Sequence, residues 1–373
     1  MDNILQSLPV VLCITAIQML VIAVPGPGSQ PPESDVPWLS EVQKPPERIP
    51  RDRLGHFAPL LVDAKGGAIE KQADWKLKRR EIRTAWIKFL GPMPERPQSV
   101  EYKVLREERA GECRRQLIRY ECEENLFVEA YIIRPPERFT GKRPGIVAMH
   151  GTTSRTIDQV AGVVASNGRD LGLKLAQRGF IIICPRNFLW QSVKNYSEAV
   201  ERHRKRHPRT LGMHKMLYDA LRATDILAGL PEVDAGRIGA VGHSLGAKET
   251  LYLAALDERI RAAVASEGGI GFRSTNWDAP WYLGPAIHDQ YFPLNHHQLL
   301  ALAAPRAFLV LAGEKPRPAA DGDRTWPFIE AALPVYNLYD MPARLGMYNH
   351  GMGHSIPPAA FDRLASWLEA YLN

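Results

Sequence analysis

Residues 237–246 read RIGAVGHSLG and residues 247–256 continue AKETLYLAAL. The run IGAV at 238–241 is short, apolar and free of polar alternation, the pattern of a strand covered on both faces. It leads directly into Gly242-His243-Ser244-Leu245-Gly246, and the apolar stretch behind that pentapeptide has the make-up of a helix. Strand, G-x-S-x-G and helix in that order form a nucleophile elbow, in which a strained turn lifts a serine hydroxyl above a sheet. Glycines two residues to each side let backbone and helix approach without a Cβ clash. The competing reading is a glycine-rich turn with an incidental serine. The flanking strand and helix argue against it.

Outward from the elbow, further apolar runs at 145–149 (GIVAM), 180–184 (FIIIC), 260–265 (IRAAVA) and 307–312 (AFLVLA) alternate with helical stretches. This predicts an α/β class: a mostly parallel central sheet with helices on both faces. Before it, alternating strands near 100–108 and 113–123, joined at Ala110-Gly111, and a third at 127–133 form an antiparallel lead-in. No internal repeat is visible.

A serine nucleophile needs a general base and a pair of oxyanion donors. Strand 343–349 (ARLGMYN) runs into His350-Gly351-Met352-Gly353-His354, ahead of a terminal helix at 358–372. His354, on a glycine-flanked loop, is the expected base, and His350 is its structural neighbour. The oxyanion donors expected are the backbone N–H groups of Leu245, just after the nucleophile, and Thr152, in the His150-Gly151-Thr152-Thr153 loop.

The chain resembles the α/β-hydrolase superfamily, in its serine-esterase branch near the dienelactone-hydrolase and acetyl-xylan-esterase families. The residues that carry the resemblance are HGTT at 150–153, GHSLG at 242–246, LAALDERIRAAVAS at 253–266, PRAFLVLAGE at 305–314 and GHSIPP at 353–358. It spans about residues 100–373. Dienelactone hydrolases use cysteine at the elbow, so Ser244 departs from them toward ordinary ester chemistry. The resemblance implies a third triad member after the strand ending at Ala312, where the loop offers Glu314, Asp321 and Asp323. Because Lys315-Pro316 occupy the usual acid position, Asp321 or Asp323 is expected there, with Glu314 a loop charge. Glu267, at the end of the preceding strand, resembles the catalytic Glu of glucuronoyl esterases. Glu267 and Asp321 remain equal candidates, with Asp323 third.

The aromatic stretch 271–292 (GFRSTNWDAPWYLGPAIHDQYF) reads either as a cap over the site or as the packing of a long insertion. Trp277 and Trp281 within it, with His150, Arg186, Asn187 and Arg273, are candidate substrate contacts. Trp and Tyr beside polar neighbours suit a sugar face or an aromatic acyl group.

With 373 residues, 45% hydrophobic and 24% charged, the chain can bury a large core, which excludes disorder as a description of the whole. The net charge of +6 is concentrated in ERHRKRHPR at 201–209 and KLKRREIR at 76–83. Neither run has interleaved aromatics, so nucleic acid is not an expected partner; both read as solvated faces, with a weak attraction to acidic glycans or a membrane surface as the remaining reading. His203, His207 and His214 read as exposed histidines of a basic segment rather than metal ligands, since no Cys or carboxylate stands at ligand spacing. Cys113 and Cys122 fall at opposite ends of one strand, about 30 Å apart, and should not pair. Cys184 reads as a core thiol.

The uncharged run 8–24 (LPVVLCITAIQMLVIAV) reads as an export signal or a short anchor. The domain expectation is therefore a leader over 1–30, a Pro-rich arm with one amphipathic helix over 31–99, and the catalytic domain over 100–373. The expected protein is an exported serine esterase without metal or organic cofactor, acting on small-molecule or glycan esters of acetyl-xylan or glucuronoyl type. Membrane attachment is expected only through an uncleaved leader. The rival readings are a prolyl-oligopeptidase-like peptidase and a non-catalytic binding protein on a hydrolase scaffold.

Overall fold

The computed structural model describes residues 35–51, 54–314 and 319–373. The leader expected over 1–30 lies outside the described residues. Among those described, nine strands form one sheet: β1 (Tyr102–Ala110), β2 (Cys113–Glu123), β3 (Leu126–Arg134), β4 (Arg143–Met149), β5 (Ile181–Pro185), β6 (Val233–His243), β7 (Ile260–Ser266), β8 (Ala307–Ala312) and β9 (Leu345–Asn349). Their spatial order is β1-β2-β3-β5-β4-β6-β7-β8-β9. Pairs from β1 to β5 are antiparallel, and every pair from β5 across to β9 is parallel. This is the predicted α/β sheet with its antiparallel lead-in. The apolar runs became the central parallel strands because helices cover both their faces, leaving no wet side to demand alternation.

The helices are α1 (Leu39–Val42), α2 (Gln72–Leu90), α3 (Thr156–Val160), α4 (Leu171–Ala176), α5 (Tyr196–Arg206), α6 (Gly212–Ala228), α7 (Leu245–Leu256), α8 (His296–Ala303), α9 (Trp326–Tyr336) and α10 (Pro358–Leu372). Two apolar layers result. One face of the sheet packs with α2, α6, α7, α8 and α9, and the other with α3, α4 and α10. Every residue of α7 is buried, so the elbow helix is held on all sides.

Residues 35–99 lie against this body. The stripe Trp75, Ile82 and Trp86 of α2 is fully covered, and the Trp86 indole donates to the Gln298 side chain of α8. The basic face of α2 is not wholly solvated, in contrast to the sequence reading. Arg79 pairs with Glu258 and donates to the Leu302 carbonyl, while Arg83 donates to the Leu256 carbonyl. Guanidinium forks at these positions close the exposed carbonyl ends of α7 and α8. At the other end of the sheet, the Arg344 carbonyl accepts from Phe308 of β8, so the next carbonyl, Leu345, points outward. Gln43 donates to Leu345 and Ala343, and Asp35 pairs with Arg344 at 2.6 Å. The segment 35–43 thus covers the open side of β9.

Cys113, Cys122 and Cys184 are free and buried, and Cys184 is the core thiol expected. No described helix is long and apolar enough to cross a membrane.

Candidate active site

The parallel strands all deliver their carboxyl ends to one rim of the sheet, where chemistry-bearing loops converge. Ser244 sits between β6 and α7 with φ +59° and ψ −116°, a left-handed conformation that a non-glycine residue adopts only under constraint. The constraint is visible in its neighbours. A Cβ on Gly242 would come within 2.2 Å of Gly246, and one on Gly246 within 2.3 Å of the Met149 carbonyl oxygen. Both glycines are required by close backbone approach. Ser244 N–H donates to the Ser266 carbonyl at 2.8 Å, tying the elbow to the end of β7.

One residue beyond that carbonyl stands Glu267, itself at φ +57° and almost fully buried. Its Oε1 accepts from Gly313 N–H at 2.6 Å, and its Oε2 from Ala320 N–H at 2.6 Å. The Nδ1 of His354 lies 3.1 Å from the same Oε2. A carboxylate can only accept, so this pairing places the proton on Nδ1 and leaves Nε2 as the basic nitrogen. Burial is the largest influence on Glu267 and pushes its carboxyl upward. The His354 hydrogen bond opposes this, and nearby Asp321 adds to it. The His354 loop is docked by a backbone bond from Gly353 N–H to the Gly313 carbonyl, 2.6 Å, so base and acid, from the ends of β9 and β7, are both tied to Gly313 at the end of β8 between them.

Ser244, Glu267 and His354 line one cavity of about 90 Å³, together with Thr152, Leu245 and Trp281 of the expected residues. Leu245 is the first residue of α7, so its N–H is one of those a helix leaves without an intrahelical acceptor.

Other expected site residues lie elsewhere. Asp321 is fully buried and accepts from Gly269 N–H, Ile270 N–H and the Thr325 hydroxyl at 2.7–2.8 Å, which commits it to shaping the loop after Glu267. Asp323 accepts from the Asn349 side chain. Glu314 accepts from Asp323 N–H and pairs with Arg324, so it holds the turn rather than standing free.

His150 is buried and outside the cavity. Its Nδ1 faces the Gly151 carbonyl at 2.8 Å, its Nε2 accepts from Asn187 N–H at 3.1 Å, and burial pulls its pKa down to about 4. Arg186 is occupied by Glu129 and Thr156. The Asn187 side chain bonds Glu249. Trp277 is core, its indole donating to the Gly269 carbonyl, and Arg273 is exposed outside the cavity lining. Of the expected substrate contacts, Trp281 lines the cavity, and His150, Arg186, Asn187, Arg273 and Trp277 are not among its lining residues. In stretch 271–292, Phe272 and Trp277 pack inward, while Trp281, Tyr282, Thr275 and Asn276 wall the cavity.

The sequence reading missed Lys248, Tyr196, Thr275, Asn276 and Tyr282 as lining residues. Lys248 had a signal: it is the lone cation in a mostly apolar helix, one turn after the nucleophile. Its Nζ sits 3.7 Å from the centre of the Trp277 ring and bonds the Thr275 hydroxyl. Burial drives its pKa well below that of a free lysine, with Asp321 opposing. His243, inside the elbow, was also unremarked. It is buried, bonds the Ser266 hydroxyl at 3.1 Å, and packs against the His354 ring at 4.7 Å between centres.

His203, His207 and His214 are not exposed as expected. They form a cluster with ring centres 5.4–5.9 Å apart between α5 and α6. His203 and His214 are buried, and burial pulls their pKa values down to about 3 and about 4. Among the described residues no group of three or more His, Cys, Asp or Glu could hold a metal ion.

Residues 128–304 match the model of the dienelactone hydrolase family. The nine-stranded sheet, the elbow and this match fix the architecture. The chain has the α/β-hydrolase fold. A glucuronoyl esterase from Solibacter usitatus shares the hydrolase fold at 16% identity and TM-score 0.69, over 87% of this chain and 99% of that one. A glucuronoyl esterase from Teredinibacter turnerae is similar at 19% identity and TM-score 0.63, covering 84% and 88%. A proposed acetyl xylan esterase from Bacteroides fragilis is similar at 14% and TM-score 0.59, over 78% of each chain. No curated protein sequence matches this chain.

Proposed function

We propose that this hydrolase is a serine esterase that cleaves carboxylic esters of carbohydrates, with Ser244, His354 and Glu267 as its triad. The observation that carries the reading is the pairing of His354 Nδ1 with buried Glu267 on the wall of the cavity that holds Ser244. The Ser244 hydroxyl attacks the ester carbonyl carbon while His354 Nε2 takes its proton. The N–H groups of Leu245 and Thr152 receive the oxyanion, at the positive end of the α7 dipole. His354 returns the proton to the leaving alcohol, and water hydrolyses the acyl-serine by the same route. Glu267 holds the imidazole in the productive tautomer and stabilises it when protonated.

The cavity lining favours a hydroxylated acyl group over a methyl group. Lys248, Thr152, Thr275, Asn276 and Tyr196 supply polar atoms around a space that admits one compact group. A buried amine with a lowered pKa both donates to and accepts from sugar hydroxyls. A uronoyl ester is therefore the proposed substrate type, in line with the glucuronoyl esterases that share the fold. The stretch 8–24 supports an exported enzyme.

The test is turnover of p-nitrophenyl acetate and of a glucuronic acid methyl ester by wild type and Ser244→Ala. Both activities should fall on the order of 10⁶-fold in the variant. Turnover that survives the change defeats the assignment, and an acetylated xylan cleaved in preference to the uronate ester defeats the substrate type.

A further inference from the structure

Trp281 belongs to two spaces at once. It walls the catalytic cavity, and it also walls an open groove of about 440 Å³ between α5 and the stretch that carries Pro280. The partition is Trp281 set edge-to-face against Tyr196, ring centres 5.4 Å apart. Tyr196 is likewise a wall of the cavity and is the first residue of α5. The groove's other side is the outer face of that helix, with Ser197, Glu201, Arg204 and Lys205.

The charges on α5 are not alike. Arg202 pairs with Glu198, Lys205 with Glu201, and Arg206 with Glu123. Arg204, in the groove, has no carboxylate partner among the described residues. An unpaired guanidinium that lines the same groove as an indole, one aromatic partition away from a nucleophilic serine, suits a planar anion attached to the substrate.

We infer that this groove is a glycan subsite that holds the carbohydrate chain continuing from the bound ester, with Trp281 against a sugar face and Arg204 gripping a free uronate carboxylate. This rests on the esterase reading for its orientation but not for its test. The groove has the volume of an ordinary ligand site, and its open form suits a polymer that enters and leaves at both ends. The basic run 201–209 then has a use beyond solvation: it selects acidic glycans over neutral ones.

The test separates binding from chemistry. Ser244→Ala protein is titrated calorimetrically with an unesterified, uronate-bearing xylo-oligosaccharide and with the neutral xylo-oligosaccharide of equal length. The acidic ligand should bind about tenfold tighter at low salt, and Arg204→Glu in the same background should remove that preference. Equal binding of the two ligands, or a preference that survives Arg204→Glu, overturns the subsite. In protein with Ser244 intact, Arg204→Glu should leave turnover of a monosaccharide uronate ester unchanged and raise KM about tenfold on the oligosaccharide ester. A loss shared by both substrates also overturns it. Failure of the esterase reading shows instead as turnover indifferent to Ser244→Ala, with the titration unaffected.

Discussion

At Glu267 the chain holds a carboxylate in a left-handed backbone conformation, with two backbone N–H groups and one imidazole on its oxygens. At Asp321 it holds a second buried carboxylate that receives two backbone N–H groups and a hydroxyl, but no imidazole. The two should answer mutation differently. Glu267→Ala should lower kcat on the order of 10³–10⁴-fold on p-nitrophenyl acetate with KM little changed. Asp321→Ala strands two buried backbone N–H groups and the Thr325 hydroxyl, so it should cost about 2–4 kcal/mol in denaturant unfolding while the folded fraction loses less activity. The opposite ranking in kcat would transfer the triad role to Asp321. Lys248→Met should raise KM for a glucuronic acid ester by about tenfold and leave p-nitrophenyl acetate turnover nearly intact, since acetate has no hydroxyls for the amine to meet. An equal effect on both esters would remove Lys248 from substrate binding.

Between α5 and α6 the buried histidines make the packing of these helices dependent on pH. His203 and His214 are held neutral: burial is the main cause for both, and Lys215 and His207 beside them push in the same direction. A histidine whose folded pKa is depressed contributes stability that is complete above its unfolded value near 6.5. That contribution is lost as pH falls toward the folded value. Glu123 acts in the same direction at lower pH. Its pKa is lowered to about 2; burial, the largest influence, pushes the other way and is outweighed by Lys215 and His207. Thermal unfolding should therefore show Tm falling steadily from about pH 6.5 to 4, and His214→Gln should flatten that slope even if it lowers Tm throughout. A slope identical to wild type would place the acid sensitivity elsewhere. The same helices show where sequence reading stops. The spacing of His203, His207 and His214 on a basic stretch argues for solvent, yet α5 turns one face to α6 and takes His203 inward. Periodicity over so short and polar a helix carries too little apolar signal to say which face that is.

Across the molecule, the features legible in sequence are those that obey local rules. The central strands could be found because burial on both faces removes alternation. α10 was bounded by proline at its start, and the elbow was fixed by glycines that sterics demand. Ser244, His354 and Glu267 could be nominated because each sits at a strand end or on a glycine-flanked loop. Tyr196, Thr275 and Asn276 could not, since nothing local distinguishes a cavity wall from a loop surface. His150 and Arg186 lie off the cavity wall for the complementary reason: strand-end polar residues also tie loops down, His150 bonding backbone through both ring nitrogens and Arg186 pairing with Glu129. Trp86 shows how much of the stability lies outside the hydrolase motifs. Its indole is buried between Tyr252 and His296, so Trp86→Ala should cost about 3–5 kcal/mol by denaturant unfolding. A cost under 1 kcal/mol would mean that α2 contributes little to the fold.

The cover over β9 has a consequence for how the chain can be matured. Asp35 and Gln43 shield the outward carbonyls and Arg344 of a strand that would otherwise present a ready template for pairing with another molecule. Any trimming of the amino terminus is thus limited to cuts upstream of Asp35. Protein beginning at residue 32 should stay monodisperse in light scattering, whereas protein beginning at residue 45 should melt lower and associate through the bared strand. The ten residues from Asp35 onward are thus a boundary that no cut can cross without baring the strand.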